Sequence, residues 1–114
     1  EKRALAERTL RKIGVPEHCG RDYLLRAAEM VWADARLLRS LTTRVYPAIA
    51  EGSSSDARHV ERAIRHAIEV AWRAGDLEAQ ERLFGETIDA KRGNPTCGEM
   101  IARIADILRW EGRA

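Results

Sequence analysis

The stretch from Val60 to Trp72, VERAIRHAIEVAW, carries side chains that could read the bases of DNA. Arg62 and Arg65 can each form two hydrogen bonds to a guanine, and the Glu61 carboxylate can accept one from the N4 amino group of cytosine. An ordinary role fits the same residues, because Glu61 lies four positions before Arg65 and such pairs form along helix surfaces. The residue types therefore leave two alternatives open, a DNA-reading helix and a solvated helix face.

Helical periodicity separates these polar residues from an apolar face. At about 100° per residue, one side of the wheel carries only aliphatic side chains. These are Val60, Ile64, Ala67, Ile68 and Ala71. The opposite side is a strip of long polar groups with Glu61 at its border. The strip comprises Arg58, His59, Arg62, Arg65, His66, Glu69 and Arg73. The pattern predicts that the first face is buried and the second is exposed, with His59 and His66 equally consistent with ordinary surface imidazoles.

The segment before this helix predicts a sharp corner. Residues 46–57, YPAIAEGSSSDA, are typical of a short helix, a polar turn and an aspartate, Asp56, that caps the next helix. A short helix, a brief turn and a longer amphipathic helix with polar groups in its first turns form helix-turn-helix geometry. Many helical bundles contain a similar corner, so this pattern alone does not decide the function.

The chain as a whole predicts an all-α fold, a compact six-helix domain that contains the helix-turn-helix. The expected helices cover about 2–13, 22–38, 43–51, 56–73, 77–84 and 96–110. The second helix should form the spine of the core. Its inward residues would be Leu24, Leu25, Ala28, Val31, Trp32, Ala35 and Leu38. Since 114 residues with 45% hydrophobic and 33% charged side chains suit one globular unit, we treat 1–114 as a single domain.

Composition argues against several function classes. The net charge is only +2, although 17 of the 20 basic residues are arginine, since three are lysine. No apolar run approaches the roughly 20 residues that span a bilayer, so no membrane partner is expected. No paired carboxylates in an apolar pocket, Ser-His-Asp order or phosphate-cradling glycine loop is apparent, which predicts neither an enzyme nor a cofactor.

The two cysteines, Cys19 and Cys97, form no C-x-x-C pair and suit a reducing cytosol. A disulfide between them stays open, since it requires proximity in the fold. His18 precedes Cys19, but adjacent residues rarely converge on one ion and no second ligand pair exists. We therefore predict a loop at this place and no metal site.

The motif VERAIRHAIEVAW, preceded by YPAIA and followed by LFG and IADILR, closely resembles the C-terminal effector domain of the sporulation master response regulator, stage zero sporulation protein A. The resemblance spans essentially the whole chain. It implies an all-helical domain whose helix-turn-helix reads a short TGTCGAA-like box, with a phosphorylatable receiver domain upstream. Because the chain opens with EKRALAERTL and no methionine, we expect a fragment of a longer response regulator that acts in the cytoplasm on the nucleoid.

The resemblance implies base contacts from Glu61 and Arg62, with Arg65 and His66 nearby on base or phosphate. The family also carries an arginine directly before this motif. Here that position is His59, and the arginine lies one place earlier, at Arg58. One residue rotates a helical side chain by about 100°, which leaves the preferred box sequence open.

The resemblance further implies a contact between residues 75–88 and the sigma subunit of RNA polymerase. The family positions match Gly75, Glu81, Phe84 and Ile88. From position 76 to position 89, five acidic residues stand against one arginine: Asp76, Glu78, Glu81, Glu86 and Asp89. Such a surface repels phosphate and favours a basic protein partner, while a solvated acidic segment is the alternative. Phe84 is expected either on the partner surface or in the core.

The last helix carries an apolar stripe wider than one core contact requires. Ile101, Ile104, Ala105 and Leu108 form the stripe, and Met100, Ile107 and Trp110 widen it. Burial on most sides is one interpretation. The other, implied by the family's tandem boxes, is contact with a second copy of the chain on DNA. Taken together, the sequence predicts a sequence-specific transcription regulator, with a helical protein-interaction module lacking specific DNA binding as the alternative.

Overall fold

Six α-helices make up the computed structural model, which describes residues 2–85 and 93–113. The helices are α1 (Lys2–Ile13), α2 (Cys19–Ala33), α3 (Tyr46–Glu51), α4 (Ala57–Ala74), α5 (Leu77–Phe84) and α6 (Cys97–Arg113). A 3₁₀ segment, Ala35–Ser40, and a π-helical turn, Leu41–Val45, join α2 to α3. The described residues contain no strand, which confirms the all-α prediction and the number of helices.

Helix α2 ends earlier than the sequence pattern predicts. The backbone of Asp34 is extended (φ −146°, ψ 98°), and its carboxylate accepts hydrogen bonds from the backbone N–H of Arg36 at 3.1 Å and from Arg36 Nε at 3.0 Å. The same contacts hold the pKa of the Asp34 carboxyl below its usual value. Asp34 therefore ends α2 and caps the 3₁₀ segment, so the predicted helix over 22–38 is wrong in its last turn, and Ala35 is exposed where burial was expected.

The predicted spine of the core is confirmed. Helix α2 makes its most extensive contacts with α6 and α4, and Leu24, Ala28 and Val31 are buried between them. The crossing of α2 and α4 is close at Gly20, where a Cβ atom would lie 2.6 Å from the carbonyl oxygen of Ala63. This close approach brings the start of α2 alongside the exposed face of α4.

Both thiols are free; Cys19 is exposed and Cys97 is half-buried. None of the helices in the described ranges combines the length and apolarity that a bilayer crossing requires.

Candidate nucleic-acid interface

Helices α3 and α4 meet at the predicted corner. Ser53 closes the turn, because its backbone N–H and its hydroxyl both donate to the carbonyl oxygen of Ala50, at 3.0 and 3.1 Å. Asp56 then caps α4 by accepting a hydrogen bond from the backbone N–H of His59 at 2.9 Å. A side-chain oxygen at this position satisfies one of the unpaired N–H groups that begin every helix. The turn and the cap fix the direction in which α4 leaves the corner.

The two faces of α4 are arranged as the periodicity predicts. The aliphatic residues are buried, with Val60, Ile64, Ala67 and Ala71 at 0% exposure. The polar strip faces outward. Its exposed members are Arg58, His59, Arg62, Arg65, His66 and Arg73, while Glu61 and Glu69 are half-buried. Every DNA-contact residue predicted from the sequence thus lies on one continuous surface of one helix.

Glu61 and Arg65 form an ion pair on this surface. Arg65 Nη1 lies 3.0 Å from Glu61 Oε1, and the two side chains are 56% and 33% exposed. An exposed pair of this spacing contributes only a few tenths of a kcal/mol, so either group can exchange its partner for a DNA base at small cost. Within the described residues Arg62 has no such partner, and its guanidinium is available at the centre of the strip.

Three arginines of α4 surround one shallow cavity of about 330 Å³. Its lining comprises Thr42, Tyr46, Ala57, Arg58, Glu61, Arg62 and Arg65. Sequence reasoning missed Thr42, because the π-helical turn that brings it beside α4 has no periodic signal. Guanidinium groups bind phosphate and guanine through paired N–H donors, so this depression suits the edge of a DNA groove.

Two neutral groups lie at the cavity: Tyr46 is part of its lining, and Cys97 forms a side-chain hydrogen bond with Tyr46. Burial, with Cys97 and Glu61 nearby, raises the pKa of the Tyr46 hydroxyl well above its usual range. Burial and the Glu61 charge also raise the pKa of the Cys97 thiol. Both groups therefore stay uncharged at neutral pH, and they add no charge of their own near the arginines.

The two histidines of the strip contact the first turns of α2 and the capping residue before it. The His59 ring meets Tyr23 edge-on with centroids 6.2 Å apart, and the His66 ring stacks on His18 at 6.4 Å. His18 in turn caps α2, because its Nδ1 accepts a hydrogen bond from the backbone N–H of Gly20 at 2.9 Å. The two ring contacts join residues more than 30 positions apart, and no local pattern in the sequence predicts them.

Helix α5 carries part of the surface for which the family resemblance implies a polymerase contact. Asp76 caps it by accepting hydrogen bonds from the backbone N–H groups of Glu78 and Ala79 at 3.0 and 3.3 Å. Glu78 and Glu81 are exposed, and Glu78 pairs with Arg82 at 2.8 Å. Three of the five predicted acidic residues, Asp76, Glu78 and Glu81, are therefore exposed at α5. Glu86, Ile88 and Asp89 lie outside the described residues.

Phe84 and Gly75 have structural roles here. Phe84 is 5% exposed and packs edge-on against Trp72 with centroids 5.7 Å apart, so the core interpretation holds and exposure to a partner was wrong. A Cβ atom on Gly75 would lie 2.1 Å from the carbonyl oxygen of Ile13, so this position admits no side chain. The large apolar residue that α5 does expose is Leu77, at 66%, which the sequence analysis did not single out.

The residues predicted to touch a second copy divide between core and surface. Met100 is 0% exposed, so its assignment to an intermolecular contact is wrong: the side chain belongs to the hydrophobic core. Ile107 is half-buried and borders a cavity of about 190 Å³ between α1, α5 and α6. Trp110 is 71% exposed and is the one of the three fully available to a partner.

A capped amphipathic helix that follows a tight corner and presents a strip of arginines has the geometry of a helix-turn-helix. Residues 6–108 of the chain match the family model described as sporulation initiation factor Spo0A C terminal. Because the match covers most of the 114 residues, the chain belongs to this family and is a sporulation-initiation DNA-binding effector domain.

Proposed function

We propose that the chain regulates transcription at the start of sporulation by placing α4 in the major groove of a TGTCGAA-like box. The observation that carries this proposal is the exposed guanidinium of Arg62, which has no ion-pair partner among the described residues and lies at the centre of a continuous polar strip on a helix-turn-helix. A recognition helix contacts base edges through its N-terminal turns, and Arg62 lies in the second turn of α4. Arg62 then binds a guanine through its O6 and N7 atoms.

Glu61 and Arg65 act beside Arg62 as an exchangeable pair. On DNA the Glu61 carboxylate accepts a hydrogen bond from cytosine, while Arg65 turns to a base or a phosphate. The proximity of a carboxylate also lowers the attraction of the strip for phosphates in general, so it favours the correct box over other sequences. Arg58, His59 and His66 contact the DNA backbone on either side of the base contacts.

His59 gives this domain a box preference of its own. A histidine is shorter than the arginine found at this place in the family, and its ring rests against Tyr23. It therefore reaches less far into the groove, and Arg58 points about 100° away from it. We expect the strongest departure from TGTCGAA at the base that the missing arginine would contact.

The acidic surface of α5 serves a different partner, which we propose is the sigma subunit of RNA polymerase. Asp76, Glu78 and Glu81 are exposed there, and exposed carboxylates repel DNA and attract a basic protein surface. Leu77 adds an exposed apolar contact at the start of the helix. The domain can then activate or repress a promoter according to where its box lies.

We further propose that the 1–114 domain is the output end of a longer response regulator in the cytoplasm. A phosphorylatable receiver would gate it, and two copies would occupy tandem boxes on the nucleoid. Trp110 and the outer part of Ile107 are the residues available for contact between the copies.

The experiment that tests DNA recognition is a pair of binding isotherms on duplexes with the box intact and scrambled, each at several salt concentrations. Specific proteins commonly bind their site at least about 10³-fold more tightly than other DNA, and the logarithm of affinity falls linearly with that of salt. Equal affinity for both duplexes would refute sequence-specific reading and favour the protein-interaction module.

A further inference from the structure

Gln80 is the one buried amide or charged side chain among the described residues, at 3% exposure. Its Nε2 atom donates to the carbonyl oxygen of Ile13 at 3.0 Å and to that of Ala71 at 2.8 Å. Ile13 is the last residue of α1 and Ala71 lies in the last turn of α4, while Gln80 itself belongs to α5. A single side chain thus joins the ends of two helices to a third.

The backbones at this junction approach one another without side chains between them. Gly14 has a positive φ of 102°, and a Cβ atom there would lie 2.7 Å from the Cα atom of Gly75. Gly75 N–H donates to the carbonyl oxygen of Ala71 at 2.7 Å, so that oxygen accepts two hydrogen bonds. The junction is therefore held by directional bonds at close range.

Outside this junction, α5 is attached by one hydrogen bond, from Arg103 Nε of α6 to the carbonyl oxygen of Leu83 at 2.9 Å, and by apolar contacts. Its eight residues form little more than two turns, too short to be stable as an isolated helix. Ala79, Leu83 and Phe84 bury their side chains in the core, and such packing is non-directional. The Arg103 bond ties the end of α5 to α6, whereas the Gln80 hydrogen bonds supply the directional restraint toward α1 and α4.

We propose that Gln80 is a positioning residue that fixes α5, and with it the acidic surface of Glu78 and Glu81, relative to the DNA-bound α4. This inference rests on the proposed polymerase contact of α5. A polymerase subunit that binds the DNA-bound domain must meet α5 at a fixed angle to the duplex. Gln80 sets that angle by tying α5 to the end of the recognition helix.

The DNA-reading part of α4 is independent of this junction. Arg62 precedes Ala71 by nine residues, about 13 Å along the helix axis. The first turns of α4 are held by the Asp56 cap and by the buried side chains of Val60 and Ile64. Loss of the Gln80 bonds should therefore separate DNA binding from activation.

The test compares Gln80→Met with the unaltered chain in two assays, affinity for the box and activated transcription by RNA polymerase at saturating protein. Methionine keeps the length of the side chain and removes its donor. We expect DNA affinity to stay within about twofold and activation to fall by about fivefold or more, as when an important interface contact is displaced.

Two controls separate the possible causes. Val31→Ala opens a cavity in the core where α2 packs. This variant should leave activation unchanged at a temperature where melting curves show that all variants are folded. A variant carrying Glu78→Lys and Glu81→Lys tests the acidic surface directly, and its loss of activation supports the proposed function. If that charge reversal abolishes activation while Gln80→Met retains it, the positioning role is overturned and the polymerase contact stands. If activation survives the charge reversal, both the polymerase contact and the positioning role are overturned. If Gln80→Met lowers DNA affinity together with activation, the positioning role alone is overturned.

Discussion

Phe84→Ala should destabilise the whole domain. Phe84 is 5% exposed, its ring contacts Trp72, and α5 depends on this packing together with Leu83. Truncating a buried phenylalanine to alanine costs about 3–5 kcal/mol. For a domain of about this size each kcal/mol lowers the melting temperature by about 4 °C, which gives a fall of roughly 12–20 °C.

Thermal unfolding followed by circular dichroism measures this effect, and Leu77→Ala is the matched control. Leu77 lies on the same helix but is 66% exposed, so its truncation should change the free energy of unfolding by no more than about 0.5 kcal/mol. The affinity of Phe84→Ala for the box should be normal at temperatures where the protein is folded. A melting temperature equal to that of Leu77→Ala, combined with lost activation, would refute the core assignment and return Phe84 to the partner surface.

Two further variants address the DNA-bound state. Glu61→Ala removes the partner of Arg65 and one negative charge. Affinity for the scrambled duplex should therefore hold or rise, while the ratio of specific to nonspecific affinity falls. An unchanged ratio in parallel titrations would show that Glu61 only pairs with Arg65 along the helix. Two boxes in helical phase should bind two copies more tightly than independent sites, and either Trp110→Ala or insertion of about five base pairs should remove that gain. Isotherms that are the same with and without the insertion would exclude contact between the copies.

The sequence predicts most of this fold because its signals are local and periodic. The two faces of α4 and the Asp56 cap depend on residues within a turn or two of each other, and the structure confirms them. The predicted end of α2 was wrong because the apolar spacing continues past Asp34. In the structure the Asp34 carboxylate accepts a hydrogen bond from the Arg36 N–H, and the helix stops there. Periodicity cannot register such competition between a side chain and the backbone.

Tertiary contacts account for the remaining differences at the site. Met100 and Phe84 are apolar residues that either side of a helix could carry, and only their packing against the core decides their burial. The ring contacts of His59 and His66 and the two bonds of Gln80 join distant segments, so one sequence read locally could not place them. Gly75 was assigned through family resemblance, and the structure adds a steric reason for its presence.

The most direct test of DNA reading compares Arg62→Ala with Arg73→Ala on intact and scrambled boxes. Both arginines are exposed on α4, but Arg73 lies eleven residues further on, about 16 Å along the axis and away from the first turns. Arg62→Ala should lose about 1–3 kcal/mol of binding free energy on the intact box and relax the choice of one guanine, with a much smaller loss on scrambled DNA. Arg73→Ala should reduce both affinities slightly and equally. Equal losses on the two duplexes for Arg62→Ala would show a phosphate contact only and contradict the assignment of α4 as the base-reading helix through Arg62.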